Sequence, residues 1–148
     1  MARRIGDPRE ARTGRARLRL TMARGQSGTP PVLELEGEYD LNAVSHIDRF
    51  LRRNLGPLYQ QQDLVIDLGA TTFVDSSFIG FLVRLSGAQH AVGCELALIR
   101  PAGQVRRVLG LVGLPNVVPV FDSVEEAVES LTNGPTPVIP PAFVPARP

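Results

Sequence analysis

The sequence contains no lysine, no tryptophan and a single cysteine, Cys94. A lone cysteine excludes an intramolecular disulfide framework and a cysteine-rich zinc site. Without lysine there can be no Gly-Lys-Ser/Thr phosphate loop, and neither Gly-x-Gly-x-x-Gly nor Gly-x-Ser-x-Gly occurs. Only two histidines are present, His46 and His90, and no acid stands at metal-ligand spacing from either. Each is read as a surface or boundary residue, and Cys94 as a small hydrophobe at the start of a buried strand. Long apolar runs are missing as well. Phe78 to Val83 and Val108 to Leu114 are among the longest, far below the roughly twenty residues a membrane span needs. Asp7, Pro8 and Glu10 stand where a signal peptide carries its apolar stretch. These absences lead us to expect a cytoplasmic protein with no membrane insertion, no metal, no cofactor and no conventional enzymatic site.

What is present is sufficient for one folded domain. Of 148 residues, 43% are apolar, which excludes wholesale disorder. The net charge of +1 conceals an asymmetry. All sixteen basic residues are arginine, and eight of them lie in residues 1–24 against Asp7 and Glu10. The remainder is net acidic. The basic segment has no aromatic residue on which bases could stack, so we expect no direct nucleic-acid partner. Residues 1–14 read as a disordered Arg-rich leader. Residues 133–148 hold six prolines and read as a disordered Pro-rich tail. The domain is expected over residues 15–132.

Within those bounds the hydrophobic period switches repeatedly. Ala16, Leu18, Leu20 and Met22 alternate with polar residues, as do Leu33 and Leu35, which predicts an antiparallel hairpin. Val44, Ile47, Phe50, Leu51 and Leu55 recur at helical spacing, with Asp40 or Asn42 as cap and Gly56-Pro57 as stop. Strands follow over Leu64 to Leu68, Glu95 to Ile99 and Val117 to Phe121. Helices are predicted from Ser77 to His90, from Pro101 to Val112 and from Val124 to Leu131, the last capped by Asp122 or Ser123. This is an α/β fold with a small mixed sheet, mostly parallel, and about four helices mainly on one face.

The segment richest in chemistry is Thr72-Phe73-Val74-Asp75-Ser76-Ser77-Phe78-Ile79-Gly80, which joins a buried strand to a helix. Short polar side chains at such a junction are ordinary N-caps. A serine there can also carry a phosphoryl group, because free amides and the helix dipole favour an anion. Phosphorylation would add about −1.5 to −2 charges beside Asp75. A partner surface fitted to a small neutral hydroxyl would then meet bulk and like charge, which makes a binding switch without any catalytic group in this chain.

Four stretches give the sequence a family likeness. They are Gly37-Glu38-Tyr39-Asp40; Leu64 to Leu68 followed, after a short turn, by Phe73-Val74-Asp75-Ser76-Ser77; Leu109-Gly110-Leu111-Val112-Gly113-Leu114; and Val120-Phe121-Asp122-Ser123-Val124-Glu125-Glu126-Ala127. In order and spacing they resemble the STAS domain family, and within it the bacterial anti-sigma factor antagonists. The resemblance implies that the chain binds an anti-sigma factor that is also a serine kinase and so frees a sigma factor. It implies that phosphorylation at Ser76 releases the kinase and that a separate serine phosphatase resets the system. Carried over residue by residue, it places Asp40, Asp75, Ser76, Ser77 and Phe78 on the partner-binding surface, with Ser77 as the helix cap. Phe78 departs from the glycine common in the family and is expected to set a bulky ring near the partner. The competing expectation keeps the fold without the switch: a STAS subunit of a larger assembly, such as a lipid-transport ABC complex or a signalling scaffold.

Overall fold

The structure, a computed structural model, describes residues 9–22 and 29–132. Six strands form one sheet in sequential order: β1 (Glu10–Thr13), β2 (Ala16–Thr21), β3 (Val32–Tyr39), β4 (Leu64–Val74), β5 (Leu96–Ile99) and β6 (Val120–Phe121). β1, β2 and β3 run antiparallel, while β3 to β6 pair in parallel. Four helices connect or follow them: α1 (Leu41–Leu55), α2 (Ser76–His90), α3 (Gly103–Leu111) and α4 (Val124–Thr132).

Strand alternation sorts the side chains into two layers. Leu18, Leu20, Leu33, Leu35, Leu64, Ile66, Leu68, Leu96 and Leu98 face one side, where Ile47, Phe50 and Leu51 of α1 cover them with Phe78, Leu82 and Leu85 of α2 and Val105 and Leu109 of α3. On the other side Val65, Ala97 and Ile99 pack beneath Ala127 of α4. The expectation of helices mainly on one face therefore holds for α1, α2 and α3, and α4 takes the opposite face.

Three boundaries differ from the sequence expectation. Glu10–Thr13, assigned to the disordered leader, is an edge strand. Ala11 is its one apolar residue, so its order comes from backbone pairing with β2 rather than from a hydrophobic pattern. The domain thus begins before residue 15. Residues 1–8 of the expected leader and the expected tail, 133–148, lie outside the described residues. Second, the short turn expected after Leu68 is absent, and β4 runs on to Val74. Two register shifts against β3 absorb its irregular stretch. The Asp67 carboxylate accepts from the Gly69 N–H at 2.9 Å, and the Thr71 hydroxyl donates to the Leu35 carbonyl at 2.6 Å. Third, the last strand shortens to Val120–Phe121, because the Val117 and Val118 N–H groups donate back to the Leu114 carbonyl and Pro119 has no N–H to offer.

Gly37 lies at the second of these shifts with φ of 102°. A Cβ there would stand 1.9 Å from the Arg15 carbonyl oxygen, so only glycine fits. The bulge carries the end of β3 toward β4 and sets Tyr39 opposite Val74. Asp40 and Asp75, the next residue of each chain segment, consequently leave the sheet side by side.

Candidate functional site

The two aspartates each start a helix. Asp40 is the N-cap of α1, and its carboxylate accepts from the Ala43 N–H at 3.1 Å. Asp75 is the N-cap of α2, and one carboxylate oxygen accepts from the N–H groups of Ser77, at 2.9 Å, and Phe78, at 3.2 Å. Two helix N-termini therefore open next to each other at the carboxyl ends of adjacent parallel strands, where α/β sheets commonly place their sites.

This geometry corrects the expected cap. Ser77 does not cap α2; Asp75 does, and the helix includes Ser76. Asp75 stands before the first turn with one carboxylate oxygen facing two free amides, whereas Ser77 lies inside that turn. The Ser77 hydroxyl is itself committed, donating to the same Asp75 oxygen in a short hydrogen bond. Ser76 differs. It is exposed, and its hydroxyl has no hydrogen-bond partner among the described residues. No histidine or other base holds it, so it is a hydroxyl available for modification rather than an activated nucleophile.

Phe78 is also corrected. Expected at the partner surface, it is fully buried. Its ring packs against Tyr39 with centroids 5.9 Å apart and planes inclined by 48°. Helical rotation turns the third residue of α2 toward the sheet while Ser76 faces outward. Tyr39 is equally buried, and its hydroxyl donates to the Arg17 carbonyl at 2.7 Å. Burial pushes its pKa far up, so it remains a neutral donor. The aromatic pair forms the floor beneath the two caps.

Two side chains that the sequence reading passed over flank the site. Leu41, the first residue of α1, is 66% exposed, and Phe73, near the end of β4, is 44% exposed. The sequence signal for Phe73 was its place in the segment with Asp75 and Ser76. For Leu41 it was an apolar residue at a helix start, where burial is not available. His46, His90 and Cys94 do not join the site, and among the described residues no cluster of His, Cys, Asp and Glu could hold a metal ion. No helix of the described residues is long and apolar enough to cross a membrane.

The profile of the STAS domain matches residues 21–127. The chain belongs to the STAS domain family. This STAS domain is 29% identical over 68 residues to a protein of Thermotoga neapolitana named as a candidate anti-sigma factor antagonist. That match takes in 46% of this chain and 60% of the relative. Its fold is that of the anti-sigma factor antagonist SpoIIAA in unphosphorylated form, at a TM-score of 0.63 and 22% identity, covering 80% of this chain and 99% of that one. The phosphorylated form of the Bacillus SpoIIAA superposes with a TM-score of 0.56 at 24% identity, covering 76% of this chain and 96% of the other.

Proposed function

We propose that this STAS domain is an anti-sigma factor antagonist switched by phosphorylation at Ser76. In its unmodified state it binds an anti-sigma factor serine kinase through the surface around Asp40, Asp75 and Ser76, with Leu41 and Phe73 as apolar contacts. That capture frees a sigma factor. Phosphate on Ser76 breaks the contact, and a serine phosphatase restores it. The observation that carries this reading is the contrast between the two serines: Ser76 is exposed with a free hydroxyl, while the Ser77 hydroxyl is held by Asp75. The fold likeness to SpoIIAA, which has been solved in unphosphorylated and in phosphorylated form, lends support. Phe78 gives the non-switching alternative no support, since its ring does not reach the surface.

The test supplies a cognate kinase and ATP to the full chain. Phosphopeptide mass spectrometry is expected to find stoichiometric phosphate on Ser76. Ser76→Ala should hold the kinase whether or not ATP is present. Ser76→Asp should bind it about 10- to 100-fold more weakly, a loss of about 1.4–2.7 kcal/mol from unfavourable charge and bulk at the interface. Equal affinities of the two variants in a titration would sink the switch. Co-purification of an ABC-type ATPase with no kinase would favour the alternative.

A further inference from the structure

Ser76, Gly80 and Arg84 follow one another at four-residue intervals along α2 and so form one ridge on its surface. Ser76 and Arg84 are both exposed. A Cβ built on Gly80 would stand 3.2 Å from Nη1 of Arg84. The guanidinium therefore already lies one full turn back from its own Cα, on the ground a side chain at position 80 would occupy. Arg84 makes no ion pair or hydrogen bond among the described residues. The next position along the ridge is Ser76, whose Cβ lies about 5–6 Å from that of position 80 in helical geometry. Side chains on a helix lean toward its N-terminus, so the phosphoryl oxygens must turn back about χ1 of Ser76 to meet the guanidinium across this gap.

We propose that Arg84, reaching across Gly80, is the intramolecular counter-ion of phosphorylated Ser76. The inference rests on the reading of Ser76 as the modified residue and adds a residue that governs the modified state. A phosphate on Ser76 arrives one residue after the Asp75 carboxylate and at the helix start that neighbours the one capped by Asp40. Both carboxylates repel it and favour its monoanionic form. The first-turn amides and Arg84 oppose that repulsion. A guanidinium can offer two parallel N–H groups to phosphate oxygens, which holds the group in one orientation along the helix. Gly80 leaves this ground open: glycine inside a helix is destabilising relative to alanine, but a Cβ there would crowd the guanidinium at 3.2 Å and a longer side chain would stand in its path.

The experiment uses the full chain with phosphoserine installed at position 76 during translation, without any kinase. The second ionisation of the phosphate is followed by phosphorus NMR across pH 4 to 8. The apparent pKa should rise by about half a unit from the otherwise unaltered chain to Arg84→Gln. Gly80→Ala should raise it in the same direction without lowering the unfolding temperature, because the added methyl displaces only the guanidinium. Arg84→Lys should fall between. About 1 M salt should erase the differences. Without phosphate, Arg84→Gln should melt as the parent chain does, which a structural arginine would not. Superimposable titrations for the parent and Arg84→Gln would overturn the proposal, and a Gly80→Ala curve on the parent's would overturn the path across Gly80. Failure of a kinase to modify Ser76 would count against the proposed function alone, since the phosphate here is installed without one.

Discussion

Phe78→Ala is expected to lower the unfolding free energy by about 3–5 kcal/mol, the usual cost of removing a fully buried phenylalanine ring. For a domain of this size that is a fall of roughly 10–20 °C in melting temperature. The ring is fully excluded from solvent and lies against Tyr39, itself fully buried and tied through its hydroxyl to the Arg17 carbonyl. Removing the ring opens a cavity where α2 meets the end of β3. The aromatic contact is lost in addition to the transfer of apolar surface. Phe78→Leu keeps most of the volume and should cost about 1–2 kcal/mol. Urea unfolding of the full chain checks both. A loss under about 1 kcal/mol for the alanine variant would mean that the ring is not part of the core.

The consequence for the site is direct, because the cavity would open beneath the first turn that carries Ser76. Asp75 holds this turn through the amides of Ser77 and Phe78. With the ring gone, the Phe78 amide loses its anchor and the cap loosens. The family resemblance leads to glycine at this position, and this chain fills it with a fully buried phenylalanine ring. Its neighbour across the floor is a tyrosine, so the two positions form one packing unit rather than a change of partner surface.

Much of this was legible from the sequence, for local reasons. The apolar spacing of α1 and its cap at Asp40 need only residues within a few turns of one another. So do the first turn of α4 and its Ser123 cap, whose hydroxyl accepts from the Glu126 N–H at 3.1 Å. The segment around Ser76 was legible because strand, acid and serines are contiguous. The direction of Phe78 was not, since it is settled by Tyr39, which is close only after β3 and β4 have paired. Edge strand β1 was hidden because an edge with charged outward residues leaves no hydrophobic alternation. The run of β4 past Leu68 was hidden because bulges interrupt its period of two, and the bonds that hold Asp67 and Thr71 there are invisible in composition. The capping roles of Asp75 and Ser77 were exchanged because both residue types are good caps. Only the backbone geometry shows which one has extended φ and ψ before the helix.

The other large effect is expected on the sheet face that α4 leaves open. Arg17, Arg19, Glu34, Glu36, Asp67 and Arg100 line a groove there of about 480 Å³, with Gly69 and Ala70 at its floor. Most of these charges are half in water, and ion pairs such as Arg17 with Glu36 at 3.5 Å contribute little. Asp67 is different. Its side chain is only 6% exposed, in the middle of β4, and Arg100 pairs with it through Nε and Nη2. Arg100 itself has φ of 58°, a left-handed conformation that costs a non-glycine residue about 1–2 kcal/mol. Its backbone is fixed by the Arg100 N–H, which donates to the Phe121 carbonyl at 3.0 Å, and its side chain by the ion pair. Arg100→Ala should therefore cost about 3 kcal/mol, since it strands a buried carboxylate and keeps the backbone strain. Arg100→Gly should cost less than the alanine variant, by about 1 kcal/mol, because the strain is relieved. Asp67→Asn should be milder than either, because the half-exposed guanidinium can return to water. The double variant Asp67→Asn with Arg100→Ala should be more stable than Arg100→Ala alone, because the stranded charge is gone. A double-mutant cycle by urea unfolding measures all of this. Additive losses would show that the two groups do not depend on each other, and a glycine variant no better than alanine would show that the left-handed backbone carries no strain.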